Sequence, residues 1–214
     1  MTAGLFVTLE GVEGAGKSTL ADALEERLRA IGHTVVRLRE PGGTSLGEAV
    51  RSVVLDPAHG DVCPWAELFL MLAARAQVVH ERIEPDLAAG RTVICDRFID
   101  ASTAYQGAGR GLGIERVQEL NRLATRGRSP DLTLLLDLDP AAGRRRQHDR
   151  PDRMEQADLQ FHRAVRDGYR SIASAEPRRF VVLDAALPAS DVARSAWEAL
   201  TARFPDRIGH VTDR

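Results

Sequence analysis

A chain of 214 residues with 43% hydrophobic and 28% charged side chains has material for one well-filled core and little reason to split in two. A net charge of −2 offers no overall positive field for a polynucleotide, so small-molecule partners are expected and nucleic acid is not. No stretch approaches the ~18 apolar residues of a membrane span, the start is unlike a leader, and the two cysteines, Cys63 and Cys95, form no framework or metal pattern. A cytoplasmic protein without membrane partners is expected.

In chain order, the first apolar run, Leu5–Leu9, reads as a strand and leads into Gly11-Val12-Glu13-Gly14-Ala15-Gly16-Lys17-Ser18. Beyond it, Leu20, Leu24 and Leu28 recur at helical spacing. Strand, glycine-rich loop with Lys-Ser, and amphipathic helix make a P-loop. The glycines let backbone N–H groups turn inward around phosphates, and the helix N-terminus adds its dipole. Residues 11–19, through Thr19, are therefore expected to bind ATP, with Lys17 on the β/γ-phosphates and the Ser18 hydroxyl on Mg²⁺. The plain alternative is a glycine-rich turn used only for packing. Of the 29 basic residues, Lys17 is the single lysine. A compact ammonium beside phosphates is not interchangeable with a planar guanidinium.

Val35–Leu38 reads as the next strand and Pro41-Gly42-Gly43 as a break. Arg51, Arg75 and Arg97 each lie among apolar or small neighbours. Each alone reads as a snorkelling surface residue; together they suggest a pocket for an acceptor that is already phosphorylated. Thr92–Cys95 is a strand running into Asp96, as a Walker B element would, and Leu132–Leu136 followed by Asp137 offers the same pattern. Arg97 directly after Asp96 favours the first, because an acid near Mg²⁺ beside a phosphate-gripping cation is the more useful pair. The duller reading of Asp96 is a residue capping the next turn.

Gly107–Gly113 and Ser129-Pro130 punctuate the chain around a helix carrying Val117, Leu120 and Leu123. Arg144, Arg145, Arg146, Arg150 and Arg153 follow as either a solvated helix end or an arginine-rich lid neutralising a phosphoryl group in flight. Phe180–Leu183 is the last strand, and 205–214 carry no interpretable motif. Strands alternating with helices imply an α/β protein with a parallel sheet covered on both faces, in one domain over 1–214.

With these blocks in view the sequence resembles bacterial thymidylate kinases from about Phe6 to Asp184. The likeness rests on Glu10–Ser18, Arg39-Glu-Pro-Gly-Gly-Thr44, Asp96-Arg-Phe-Ile-Asp-Ala-Ser-Thr-Ala-Tyr-Gln106, Pro130-Asp-Leu-Thr and Asp152-Arg-Met-Glu155. The resemblance implies a P-loop nucleoside monophosphate kinase: a three-layer fold, a five-stranded parallel sheet flanked by helices, an arginine-rich lid at about 144–155, and a homodimer. It implies ATP + dTMP ⇌ ADP + dTDP with Mg²⁺ held by Ser18 and Asp96.

Carried over by motif position, Glu13 sits near the acceptor sugar and Arg97. Arg51 and Arg97 hold the acceptor phosphate, with Arg97 also near the transferred group. Arg75 faces thymine O4, Ser102 and Gln106 serve the polar edge of the base, Tyr105 flanks the deoxyribose, and Pro41 and Met71 line the acceptor site. No arginine occupies the variable P-loop positions, so the catalytic arginine is expected from the lid: Arg153, with Arg146 on the ATP side and Arg150 as a further contributor. Met71 stands where the family often has a phenylalanine, and Ala101 where a serine is common.

Two rivals remain at this stage. A deoxynucleoside kinase would need a carboxylate base, Glu13 or Glu40, yet would leave the acceptor-side arginines unpaired. The other is a nucleotide-dependent switch: a GTPase would carry Asn-Lys-x-Asp, which the single lysine rules out, while an ATP-dependent regulator is opposed only by the dense acceptor-side motif.

Overall fold

The computed structural model describes residues 4–147 and 152–208. Five strands, β1 (Leu5–Glu10), β2 (Val35–Arg39), β3 (Thr92–Asp96), β4 (Leu132–Asp137) and β5 (Phe180–Asp184), form one parallel sheet in the order β2-β3-β1-β4-β5. Each runs one residue past its apolar stretch, so Glu10, Arg39, Asp96, Asp137 and Asp184 gather along the carboxyl edge. Of these, Arg39 and Asp96 line the cavities described below.

The helices are α1 (Lys17–Ala30), α2 (Ser45–Leu55), α3 (Pro64–Val78), α4 (Glu84–Ala88), α5 (Ile99–Ser102), α6 (Ile114–Ala124), α7 (Pro140–Arg146), α8 (Leu159–Ala175), α9 (Ala189–Arg203) and α10 (Pro205–Ile208). Two π-helical turns interrupt this pattern. Val79–Ile83 joins α3 to α4, and Thr103–Gly109 extends α5. The glycines at 107 and 109, expected in a break, therefore lie in helical backbone. Gly109 has Phe161 and Val165 of α8 where a Cβ would go, which explains a small residue there as close packing rather than as a turn.

β1 is buried along its whole length and alternates between two cores. Leu5, Val7 and Leu9 join Leu20, Leu24 and Leu28 of α1 with apolar residues of α8 and α9. Phe6 faces the other way, with Val93, Cys95, Leu38, Val78, Ile83 and Phe98. The Thr8 hydroxyl, buried on that strand, is satisfied by Thr133 Oγ1 at 2.9 Å.

β1 is flanked by β3 and β4, and the chain departs to opposite sides of it, so the crevice for a ligand opens at its carboxyl end. Gly14 lies in that crevice with φ 70°, and a Cβ on it would strike the carbonyl of Gly143 in α7. A glycine is required there both for its backbone and for its contact.

Candidate active site

The loop 11–16 leaves β1 and feeds α1, whose first residue is Lys17. Lys17 Nζ donates to the carbonyls of Gly11 and Val12 at 3.2 and 3.1 Å. Burial, helped by the nearby Arg97, lowers its pKa to about 8 even though Asp96, Glu13 and Glu10 oppose the shift.

On the β3 side, Arg97 takes φ 68°, an uncommon conformation for a side-chain-bearing residue. The turn brings its guanidinium back over the P-loop. Nη1 donates to Gly11 O at 3.1 Å and to Tyr169 Oη at 3.2 Å, and Nη2 to Glu13 Oε1 at 3.0 Å. Burial works against its charge, but Tyr105, Tyr169, Glu13 and Asp96 outweigh it and hold the pKa well above the ordinary value. Glu13 shows the converse: burial opposes ionisation, and Arg97, Lys17 and the Tyr105 hydroxyl overcome it, so this carboxylate is held low. Glu10 behind them accepts from Phe98 N and the Tyr169 hydroxyl, and its pKa is raised to about 7 by burial and by Asp100.

Two cavities meet at this point. One, of about 250 Å³, is lined by Glu13, Pro41, Arg51, Met71, Arg75, Arg97, Ala101, Ser102, Tyr105 and Gln106, every residue expected on the acceptor side. The other, a groove of about 770 Å³, runs along 14–20 and past Arg146 to 185–189. Gly14, Lys17 and Asp96 are the residues lining both.

Asp96, favoured over Asp137 in the sequence, is also separated from it by its surroundings. Asp137 is clamped by Arg166 through bonds of 2.6 and 2.9 Å. Asp96 faces the junction, and its buried Oδ1 has no hydrogen-bond partner among the described residues. That orphaned carboxylate oxygen and the exposed Ser18 hydroxyl both belong to residues lining the groove, and oxygen donors of this kind would suit a magnesium ion.

Two expectations need correction. Arg153 lines neither cavity: its Nη2 bonds Glu67 Oε2 at 2.6 Å and its Nε bonds Val54 O at 2.7 Å. The physical reason is Glu67, a fully buried carboxylate that must be compensated. Asp152 Oδ1 caps the amides of Met154 and Glu155, and the bonds of Arg153 to Val54, Leu55 and Glu67 dock this turn against α2 and α3. Of the lid read at 144–155, 148–151 with Arg150 lie outside the described residues, while Arg146 lines the groove and bonds Ala185 O at 2.9 Å.

The second correction concerns Arg75, whose five N–H groups are all engaged. Nε and Nη2 meet Glu40 Oε2, Nη1 meets Ser102 Oγ and Asn121 Oδ1, and Nη2 also meets Phe98 O. No donor is left free for a ligand carbonyl. Arg51 differs, spending one bond on Pro41 O at 3.1 Å.

Sequence reasoning missed Glu67, Tyr169, His162 and the segment 185–189 of the groove. Glu67, Met71 and Arg75 stand four apart on one face of α3, and two charges on an otherwise uncharged helix were the available signal. His162 Nδ1 lies 3.5 Å from Glu13 Oε2, a contact no local pattern announces.

A family profile described as thymidylate kinase matches residues 9–196. A thymidylate kinase of Deinococcus radiodurans is 53% identical over 205 residues, covering 95% of this chain and 99% of that one. One of Desulfosudis oleivorans is 51% identical, covering 94% and 98%. The crystal structure of thymidylate kinase from Ehrlichia chaffeensis superposes with a TM-score of 0.78 at 32% identity, covering 94% of this chain and 99% of that one.

Proposed function

This chain belongs to the thymidylate kinase family, and from that premise we propose how its two cavities divide the work. The enzyme transfers the γ-phosphoryl group of ATP to dTMP, giving ADP and dTDP. ATP lies in the groove along 14–20 with its phosphates on the P-loop amides, and dTMP fills the smaller cavity. The observation that carries this division is that the cavities meet at Gly14, Lys17 and Asp96, with the guanidinium groups of Arg51 and Arg97 on the acceptor side.

The acceptor phosphate is already anionic, so no base is needed to create the nucleophile. Catalysis is alignment and charge stabilisation. Arg51 and Arg97 hold the acceptor phosphate, Glu13 and Tyr169 fix the plane of Arg97, and Lys17 offsets charge on the β/γ side. Ser18 and Asp96 would hold Mg²⁺, which would supply positive charge to offset that of the phosphates. Arg146 serves the nucleotide side; Arg153 anchors the root of the lid.

The base is read by Ser102 and Gln106. Arg75 donates to Ser102 Oγ at 2.9 Å, which leaves the hydroxyl hydrogen for thymine O4. Gln106, which lines the cavity, gives its Nε2 to Glu67 at 2.9 Å and keeps Oε1, buried and without a partner among the described residues, for the N3–H of thymine. Met71 covers the base face with its polarisable thioether.

A homodimer is supported by exposed apolar side chains on three helices that pack in succession: Leu46 and Val53 on α2, Phe69 on α3 and Leu123 on α6. Two free thiols, Cys63 and Cys95, suit a cytoplasmic home. Among the described residues, no helix is long and apolar enough to cross a membrane.

The rival acceptor, thymidine, would need a base; Glu13 is held ionised by Arg97 and Lys17 and so is a weak one, and Glu40 is buried and paired with Arg75. Initial rates with dTMP and with thymidine test the reading. Turnover of thymidine as fast as of dTMP would defeat it.

A further inference from the structure

Glu67 touches neither cavity, yet three polar side chains converge on its carboxylate, which has no solvent exposure. Oε1 accepts from Gln106 Nε2 at 2.9 Å and from Arg110 Nε at 3.2 Å. Oε2 accepts from Arg110 Nη2 at 3.2 Å and from Arg153 Nη2 at 2.6 Å. Both oxygens are thus saturated by donors alone.

We propose that Glu67 is a specificity-positioning residue: by accepting from the Gln106 amide nitrogen, it fixes which edge of that amide the acceptor base meets. The inference rests on Gln106 reading the base as set out above. A glutamine side chain can present a donor or an acceptor, and the two orientations differ only by rotation about its last bond. Next to an ionised carboxylate only one is tolerated, the one that turns NH₂ inward and leaves the carbonyl outward. An ionised state is secured there: burial opposes it, but Gln106, Arg110 and Arg153 together hold the Glu67 pKa low. An outward carbonyl accepts the N3–H of thymine and repels the N3 lone pair of cytosine. The discrimination thus originates on α3, in a group the nucleotide never touches.

Glu67→Gln makes a signed prediction. The new amide keeps its oxygen where Arg110 Nη2 and Arg153 Nη2 converge, because placing NH₂ there would oppose two donors. Its nitrogen then faces Gln106 and the longer contact from Arg110 Nε; Gln106 is the partner that can reverse, and it rotates to offer its carbonyl inward and its NH₂ to the cavity. The site now presents a donor to N3, which suits dCMP and opposes dTMP.

The expected result is a fall of about tenfold or more in the dTMP/dCMP ratio of kcat/KM, with the KM for ATP little changed. The swap Glu67→Gln with Gln106→Glu keeps the total charge and returns an oxygen to the cavity. It should restore the dTMP preference and serves as the measurement if the single variant does not fold. Gln106→Leu separates the layers of the claim. If that variant loses discrimination while Glu67→Gln retains it, Gln106 reads the base and Glu67 does not position it. If Gln106→Leu also retains it, the reading of Gln106 itself falls, and this inference with it. A swap that folds but leaves dCMP preferred overturns the proposal as well.

Discussion

Lys17 offers a prediction with two independent handles. Its ammonium is held between the Gly11 and Val12 carbonyls with a pKa of about 8 in the free enzyme. Nucleotide phosphates bind the protonated form, so ATP capture is fullest below that pKa and weakens as pH rises through it. Each unit above the break leaves about a tenth of the previous charged fraction, so kcat/KM for ATP should fall about tenfold per unit. Lys17→Arg keeps its charge throughout this range and should show no such break. It should nonetheless lose most turnover, because a longer, planar group cannot sit where Nζ does, and misplacement of about 1 Å can cost about 10²-fold. The assay is a coupled ADP-release measurement from about pH 7 to about pH 10 on both proteins. A wild-type profile that stays flat across that range, or near-normal kcat in Lys17→Arg, would refute the reasoning.

Three further outcomes follow from the same geometry. Arg51→Ala should raise the KM for dTMP by roughly 10–100-fold, the loss of a charged hydrogen-bonding partner, and leave the KM for ATP alone; equal shifts in both would remove Arg51 from the acceptor side. Arg153→Ala removes the shortest of four bonds to the buried Glu67 carboxylate, which keeps Arg110 and Gln106, and should cost about 1.5–3 kcal/mol of stability, read as a lowered Tm; an unchanged Tm with collapsed kcat would return Arg153 to the catalytic role the sequence suggested. Phe69→Asp places a charge on an apolar side chain that is 56% exposed and should convert a homodimer to monomers by analytical ultracentrifugation; a wild-type protein that already sediments as a monomer contradicts the dimer.

Much of this arrangement was legible because it is local. The P-loop is written in eight consecutive residues, and the strands announce themselves as apolar runs. Their ends were misjudged in one direction: Glu10, Arg39, Asp96, Asp137 and Asp184 break the apolar pattern but remain in the ladder. Hydrophobicity marks where a strand is buried, whereas backbone pairing decides where it stops. The segment 107–109 misled because glycine serves close helix contact as well as turns.

What stayed hidden depends on partners far apart in sequence. Arg153 looked like a free lid cation because Glu67, 86 positions away, gives no local sign of reaching it. Arg75 looked available to a ligand until Glu40, Ser102, Asn121 and Phe98 were found to occupy its donors. Charge and position were readable at both residues; saturation was not, because it is a property of the assembled neighbourhood.

The central claim is that phosphate passes from ATP onto the phosphate of dTMP at the junction of the two cavities. Incubating the enzyme with ATP labelled in its γ-phosphate, magnesium and dTMP, then resolving the products, tests it directly. The account predicts that the label appears in the β-phosphate of dTDP, with one ADP formed for each. Label recovered as inorganic phosphate, with dTMP unchanged, would contradict it.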